Sequence, residues 1–180
     1  MLKTFLILGS ITLFFGCSST GKIPVNNDAL DDRMSERTVA ISIKAVEPMM
    51  TQAMSQIAAS GLLQPGNNIS RIDVAGQGYY IKIKGDSVSA RLPYYGERQM
   101  GGGYNADAGI VFEGLTKNLE INKSAKNNSY IIAFSIRDAS EQFKVTTHIG
   151  TSWNTSTAIQ SSNRNRIRYI GLANKNPNAQ

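Results

Sequence analysis

Tyrosines, charged residues and glycines crowd one stretch of this 180-residue chain, "LPYYGERQMGGGYNADAGIVFEG", Leu92 to Gly114. Tyr94, Tyr95 and Tyr104 supply flat rings that can stack on a sugar or another planar ligand, while Glu97, Arg98 and Asp107 can bond its edges. The glycine run is no phosphate loop, because no Gly-Lys-Ser/Thr follows it. It also lacks the G-x-G-x-x-G spacing between a strand and a helix that cradles a dinucleotide. Two readings stand for this loop. In one it is a binding site built on Tyr94, Tyr95, Arg98, Tyr104 and Asp107. In the other Pro93 ends a strand, the glycines turn the chain, and the tyrosines fold back over the end of the fold.

A second set is Arg164, Arg166 and Arg168. Residues two apart share a strand face, so the three arginines form a ladder able to grip phosphates or carboxylates of an anionic partner. Catalytic chemistry is thinly supplied. The one histidine, His148, alternates with Phe143, Val145 and Ile149 and falls on the solvent face with Gln142 and Lys144. No G-x-S-x-G signature accompanies it. Glu113, Glu97 and Asp107 are the carboxylates a glycan hydrolase would need, but sequence spacing does not bring them together. One histidine and one cysteine cannot build a zinc site, and no cofactor is expected. A non-catalytic module is the expectation.

The elements that must position these residues are strands. "TVAISIKA", "YYIKIKGDSVSARL", "SYIIAFSIRD", "EQFKVTTHIG", "SWNTSTAIQ" and "RIRYI" alternate apolar and polar residues, with turn residues between them. Gly85-Asp86 reads as a hairpin turn. Ser70–Val74, Gly109–Glu113 and Leu119–Asn122 are shorter candidates. About nine short strands predict an all-β, mainly antiparallel fold, either a lipocalin-like barrel or a sandwich. Met50, Ala53, Met54 and Ile57 recur at helical spacing between Pro48 and Gly61, which predicts one short amphipathic helix with its methionines in the core.

The N-terminus bounds the location. Lys3 precedes an apolar run from Phe5 to Phe15, too short to span a bilayer as a helix and of the length of an export signal. Gly16-Cys17 ends it like a bacterial lipobox, so acyl chains such as palmitate on Cys17 would anchor the mature chain. The expected organisation is a signal peptide over 1–16, a lipidated N-terminus and tether over 17–36, a β-rich domain over 37–172 and a tail over 173–180. Asp28, Asp31 and Asp32 read as solvated tether. No aspartate stands next to Cys17 and no acidic run comes just after it, which predicts the periplasmic side of an outer membrane. The balance of 19 lysines and arginines against 13 aspartates and glutamates suits anionic envelope partners, glycan, lipid or protein, and nothing points to nucleic acid.

"GDSVSARLPYYGE", the glycine-rich loop, "GIVFEG" and the ending "NRIRYIG" resemble a family of small envelope lipoproteins of Bacteroidetes-type bacteria whose domain has no assigned function. The resemblance runs from about Arg37 to Gly171, with Met49–Asn68 as an insertion. It implies location and fold but no activity. Asp86-Ser87-Val88 also resembles the O-glycosylation pattern of such envelope proteins, with Ser87 as acceptor.

Overall fold

The computed structural model describes residues 27–61, 68–99, 109–116, 118–138 and 141–174. Helix α1 spans Asp28–Ser35, and strand β1 (Thr38–Pro48) follows it. Helix α2 spans Gln52–Ala59, and then come β2 (Ile72–Asp73), β3 (Tyr80–Lys84), β4 (Ser87–Leu92) and β5 (Ile110–Leu115). The chain continues through β6 (Glu120–Ser124), β7 (Ser129–Asp138), β8 (Glu141–Ile149), β9 (Asn154–Ser161) and β10 (Ile167–Ala173). The fold is the mainly antiparallel β architecture that the alternation predicts, a single sheet curled into a half-barrel.

Nine strands follow one path, β5-β4-β3-β1-β10-β9-β8-β7-β6, and β2 pairs with β1 beside it. β1 is the hub. Its first half pairs with β3, and Ala45 and Val46 pair with β2 after a bulge between Ile43 and Ala45. Alternation sends Ile81 and Ile83 of β3, Ile132, Phe134 and Ile136 of β7, and Phe143 and Val145 of β8 into one core. The hairpin turn at Gly85-Asp86 forms as read, with Gly85 at a φ of 60°. Trp153 is buried in the turn before β9, as a core plug.

No ladder joins the two edge strands, β5 and β6. β5 instead folds over β7 and β8. The Phe112 ring lies edge-on to Phe134 at 6.2 Å and tilted against Phe143 at 5.5 Å. Thr116 Oγ1 donates to the Ser135 carbonyl at 2.9 Å, capping a β7 acceptor that β6 does not reach. The result lies between the barrel and the sandwich, with one sheet folded on itself.

The expected tether to residue 36 needs correction. Asp28–Ser35 is a helix whose Leu30 and Met34, four residues apart, are buried in the core. Burying a side chain of that size contributes about 1.5–3 kcal/mol, enough to hold so short a helix on the sheet. Asp31 is no solvated tether residue either. It accepts from Tyr130 Oη at 2.7 Å and pairs with Lys123. Those two bonds hold its carboxyl below the usual carboxylate range, and the same pair raises the Lys123 ammonium. Asn27 Nδ2 reaches the Thr151 carbonyl, and Arg37 pairs with Asp86 at 2.7 Å. α1 therefore covers the end of the curl marked by the β3–β4, β6–β7 and β8–β9 turns. The helix predicted between Pro48 and Gly61 forms as α2, while Pro48 itself ends β1 and Met49 and Met50 are exposed. β10 runs one residue beyond the expected domain boundary, with Ala173 buried.

Candidate functional site

The opposite end of the curl is closed by polar groups. Pro93 ends β4, and its carbonyl accepts from the buried Tyr169 hydroxyl at 2.8 Å. Burial pushes the Tyr169 phenol pKa well up, so it stays a donor. The chain from Glu97 to Gln99 then lies along Asn163–Asn165. Asn165 N donates to Glu97 O at 3.2 Å, Gln99 N to Asn163 O at 2.8 Å, and Gln99 Nε2 to Asn165 Oδ1 at 2.7 Å. The Tyr94 hydroxyl donates to Glu97 O at 2.8 Å, with Asn165 O 3.3 Å away.

Arg164 is the clasp beneath this segment, with only 6 % of its side chain exposed. Nε and Nη2 bond the two Glu141 oxygens at 2.9 and 3.1 Å, the fork-to-carboxylate geometry that suits a desolvated pair. Nη1 donates to the Gly109 carbonyl at 2.6 Å, and the guanidinium sits 5.2 Å from the Tyr94 ring centroid. Ser161 Oγ also bonds Glu141. Arg164 thus ties the start of β5 to the start of β8 on one side of the half-barrel.

Beside the clasp lies an open groove of about 540 Å³, lined by Tyr79, Arg91, Leu92, Pro93, Tyr94, Tyr95, Gly109 and Val111. Gly109 is needed there, since a Cβ would sit 2.6 Å from the Leu92 carbonyl. Tyr79, Tyr94 and Tyr95 pack their rings partly against the core. Burial raises the Tyr95 phenol, with Tyr79 adding to the shift, so Tyr95 is a neutral donor at ordinary pH. Among the described residues the Tyr79 and Tyr95 hydroxyls have no hydrogen-bond partner, and exposed Arg91 makes neither an ion pair nor a side-chain hydrogen bond.

The predicted site residues scatter. Tyr94 and Tyr95 are on the groove, but the Tyr94 hydroxyl is spent on backbone. Arg98 is not among the groove residues, and its backbone bridges to Arg164. Tyr104 and Asp107 lie outside the described residues, as do Cys17 and the whole of 1–26. The arginine ladder is corrected. β10 begins at Ile167, so strand alternation does not extend back to Arg164, which is buried while Arg166 and Arg168 are exposed. Arg168 and Arg71 share Glu47, at 3.4 and 3.2 Å. Ser87 is exposed beside the β3–β4 turn. His148 is exposed among the outward residues of β8, and Glu113 faces outward on β5.

Tyr79, Arg91 and Val111 were not picked out from sequence. Arg91 carried a usable signal, since it stands between inward Ala90 and Leu92 just before Pro93. Tyr79 and Val111 reach the groove only through the β3–β4–β5 pairing.

Fold and site define an antiparallel half-barrel with a packed interior and a tyrosine-lined groove at one rim. The chain belongs to the DUF4251 family, described as a domain of unknown function, which it matches over residues 23–173. A crystal structure of a DUF4251 family protein from Bacteroides eggerthii superposes with a TM-score of 0.55 at 10% identity, covering 83% of this chain and 87% of that one. At that identity the likeness concerns the fold. No curated protein matches the chain.

Proposed function

We propose that this protein is a lipid-anchored envelope module, held through Cys17 on the periplasmic side of an outer membrane, that binds a segment of an envelope glycan without cleaving it. One observation carries the binding half. Two half-buried tyrosines and an arginine, with hydroxyls and guanidinium unbonded among the described residues, converge on a groove of about 540 Å³. Tyrosine faces stack on the apolar faces of sugar rings while hydroxyls bond their edges. The geometry of attachment agrees with it. The segment that follows Cys17 joins the domain at α1, and the length of β4 separates that end from the groove, so the groove would point away from the anchoring membrane.

The test is mass spectrometry of what remains on the protein purified gently from its own envelope, compared with a Tyr79→Ala/Tyr95→Ala variant. A glycan fragment present on the parent and missing from the variant is the expected result. Equal recovery from both would sink the reading. A second reading, an adaptor for an envelope protein, draws on the exposed Met49 and Met50 beside Arg166 and Arg168. A co-purified protein lost on Arg166→Ala/Arg168→Ala, with no glycan on the parent, would favour it.

A further inference from the structure

Resting on that glycan-binding reading, we infer that the bound glycan is acidic and extended, its carboxylates read by Arg91 and then by the outward face of β3, β4 and β5. The groove does not end at its rim. Arg91 and Val111, which line it, also form one cross-strand row with Tyr80 on the outward face of the sheet. The next row on that face is Lys82, Ser89 and Glu113, and the one after it Lys84, Ser87 and Leu115.

That face therefore carries three cations, Arg91, Lys82 and Lys84, against one carboxylate, Glu113. Lys82 and Lys84 stand roughly 7 Å apart along β3, and Arg91 is diagonal to Lys82 at a similar distance. This is a ladder of positive charge leading out of an aromatic groove. Lys82 Nζ sits 4.9 Å from the Tyr80 ring centroid, which keeps an aromatic surface under the second cation as well.

The contrast with Arg164 argues that Arg91 is placed for a ligand. Arg164, close by in the fold, has a bidentate carboxylate, a carbonyl and an aromatic ring. Among the described residues Arg91 has none of these, and it borders half-buried rings. A cation at such a rim meets a partly desolvated carboxylate more strongly than one in open water. Tyrosine stacking favours a sugar chain over a polyphosphate, because phosphate chains offer nothing to a ring face. Exposed Val111 and Leu115, on the edge strand, give the sugar ring faces further apolar support.

The experiment is titration calorimetry at low salt on the full-length protein in neutral detergent. The probes are a 1,4-linked galacturonic acid hexamer, the matching neutral galactose hexamer, and inorganic polyphosphate of similar charge. The acidic hexamer should bind at least about tenfold tighter than the neutral one, the size of one charge-assisted hydrogen bond. Arg91→Gln should remove most of the acidic hexamer's advantage over the neutral one. Lys82→Gln/Lys84→Gln should cost less and flatten the salt dependence.

Equal binding of both hexamers, unchanged by Arg91→Gln, would overturn the charge assignment and leave the groove reading standing. Binding of neither hexamer would remove the glycan reading and this inference with it. Polyphosphate bound as tightly as the acidic hexamer, and unaffected by Tyr95→Ala, would replace the acidic glycan with an unselective polyanion strip.

Discussion

At the α1 end, apolar side chains seal the curled sheet. Leu30 and Met34 enter the core, and the Asp31–Lys123 pair sits outside them on half-exposed side chains. At the groove end, a buried ion pair and a short run of backbone hydrogen bonds close the curl. At the apolar seal the polar groups described at the rim are bonded to one another, as Asp31 is to Lys123 and Tyr130. A polar clasp lets the neighbouring tyrosines stay half out, with two hydroxyls and one guanidinium uncommitted among the described residues. The difference teaches that closure and recognition are separated even among adjacent residues. Arg164 and Tyr94 hold the rim together, while Tyr79, Tyr95 and Arg91 have surface to offer.

The largest way to break this comparison is Arg164→Met. It leaves the largely desolvated Glu141 carboxylate without its cation, with only the Ser161 hydroxyl beside it, so unfolding stability in urea should fall by about 3 kcal/mol. Arg164→Met combined with Glu141→Leu should recover most of that loss, because the stranded charge is gone. A cost below about 1 kcal/mol for the single variant would mean the clasp is not closing that end. Next comes Leu30→Ala, with an expected loss of about 2–4 kcal/mol from the cavity under α1. Ligand binding at the far groove should be untouched in that variant, which calorimetry with the same hexamers would check.

The smallest effect belongs to Asp31→Asn, and it is a matter of pH. Hydrogen bonds from Lys123 and Tyr130 lower the Asp31 pKa below its ordinary 3.8. Its contribution to stability is therefore full above that value and is lost as pH falls through the lower folded one. Lys123 has the opposite sign, raised above its ordinary 10.5 chiefly by its bond to Asp31. Its contribution is full below that value and is lost as pH rises through the higher folded one. Melting temperatures of the Asn variant should be flatter than the parent's in both windows and should match in shape between them. A parent-like profile would show that the pair does not couple to folding.

Much of this architecture was legible in the sequence because half-buried strands write a period of two. Phe143, Val145 and Ile149 against Gln142, Lys144 and His148 is one case, and the Gly85-Asp86 turn is another. α1 was not legible. Leu30 and Met34 are two apolar residues in a polar stretch, and only their contact with a distant sheet makes the helix worthwhile. Arg164 leaves the expected ladder because strand alternation begins only at Ile167, and the segment before it follows the loop instead. The groove was half legible. Tyr94 and Tyr95 announced themselves as neighbours, but Tyr79, Arg91 and Val111 meet them only after β3, β4 and β5 have paired.

The most direct test is an NMR titration of isotope-labelled protein with glycan fragments released from a bacterial cell envelope, read as backbone amide shifts. The account predicts shifts clustered at Tyr79, Arg91, Tyr95 and Ile110–Glu113, with α1 and the Lys123–Tyr130 hairpin silent. Shifts centred on α1, or none at a saturating concentration of fragments, would contradict it.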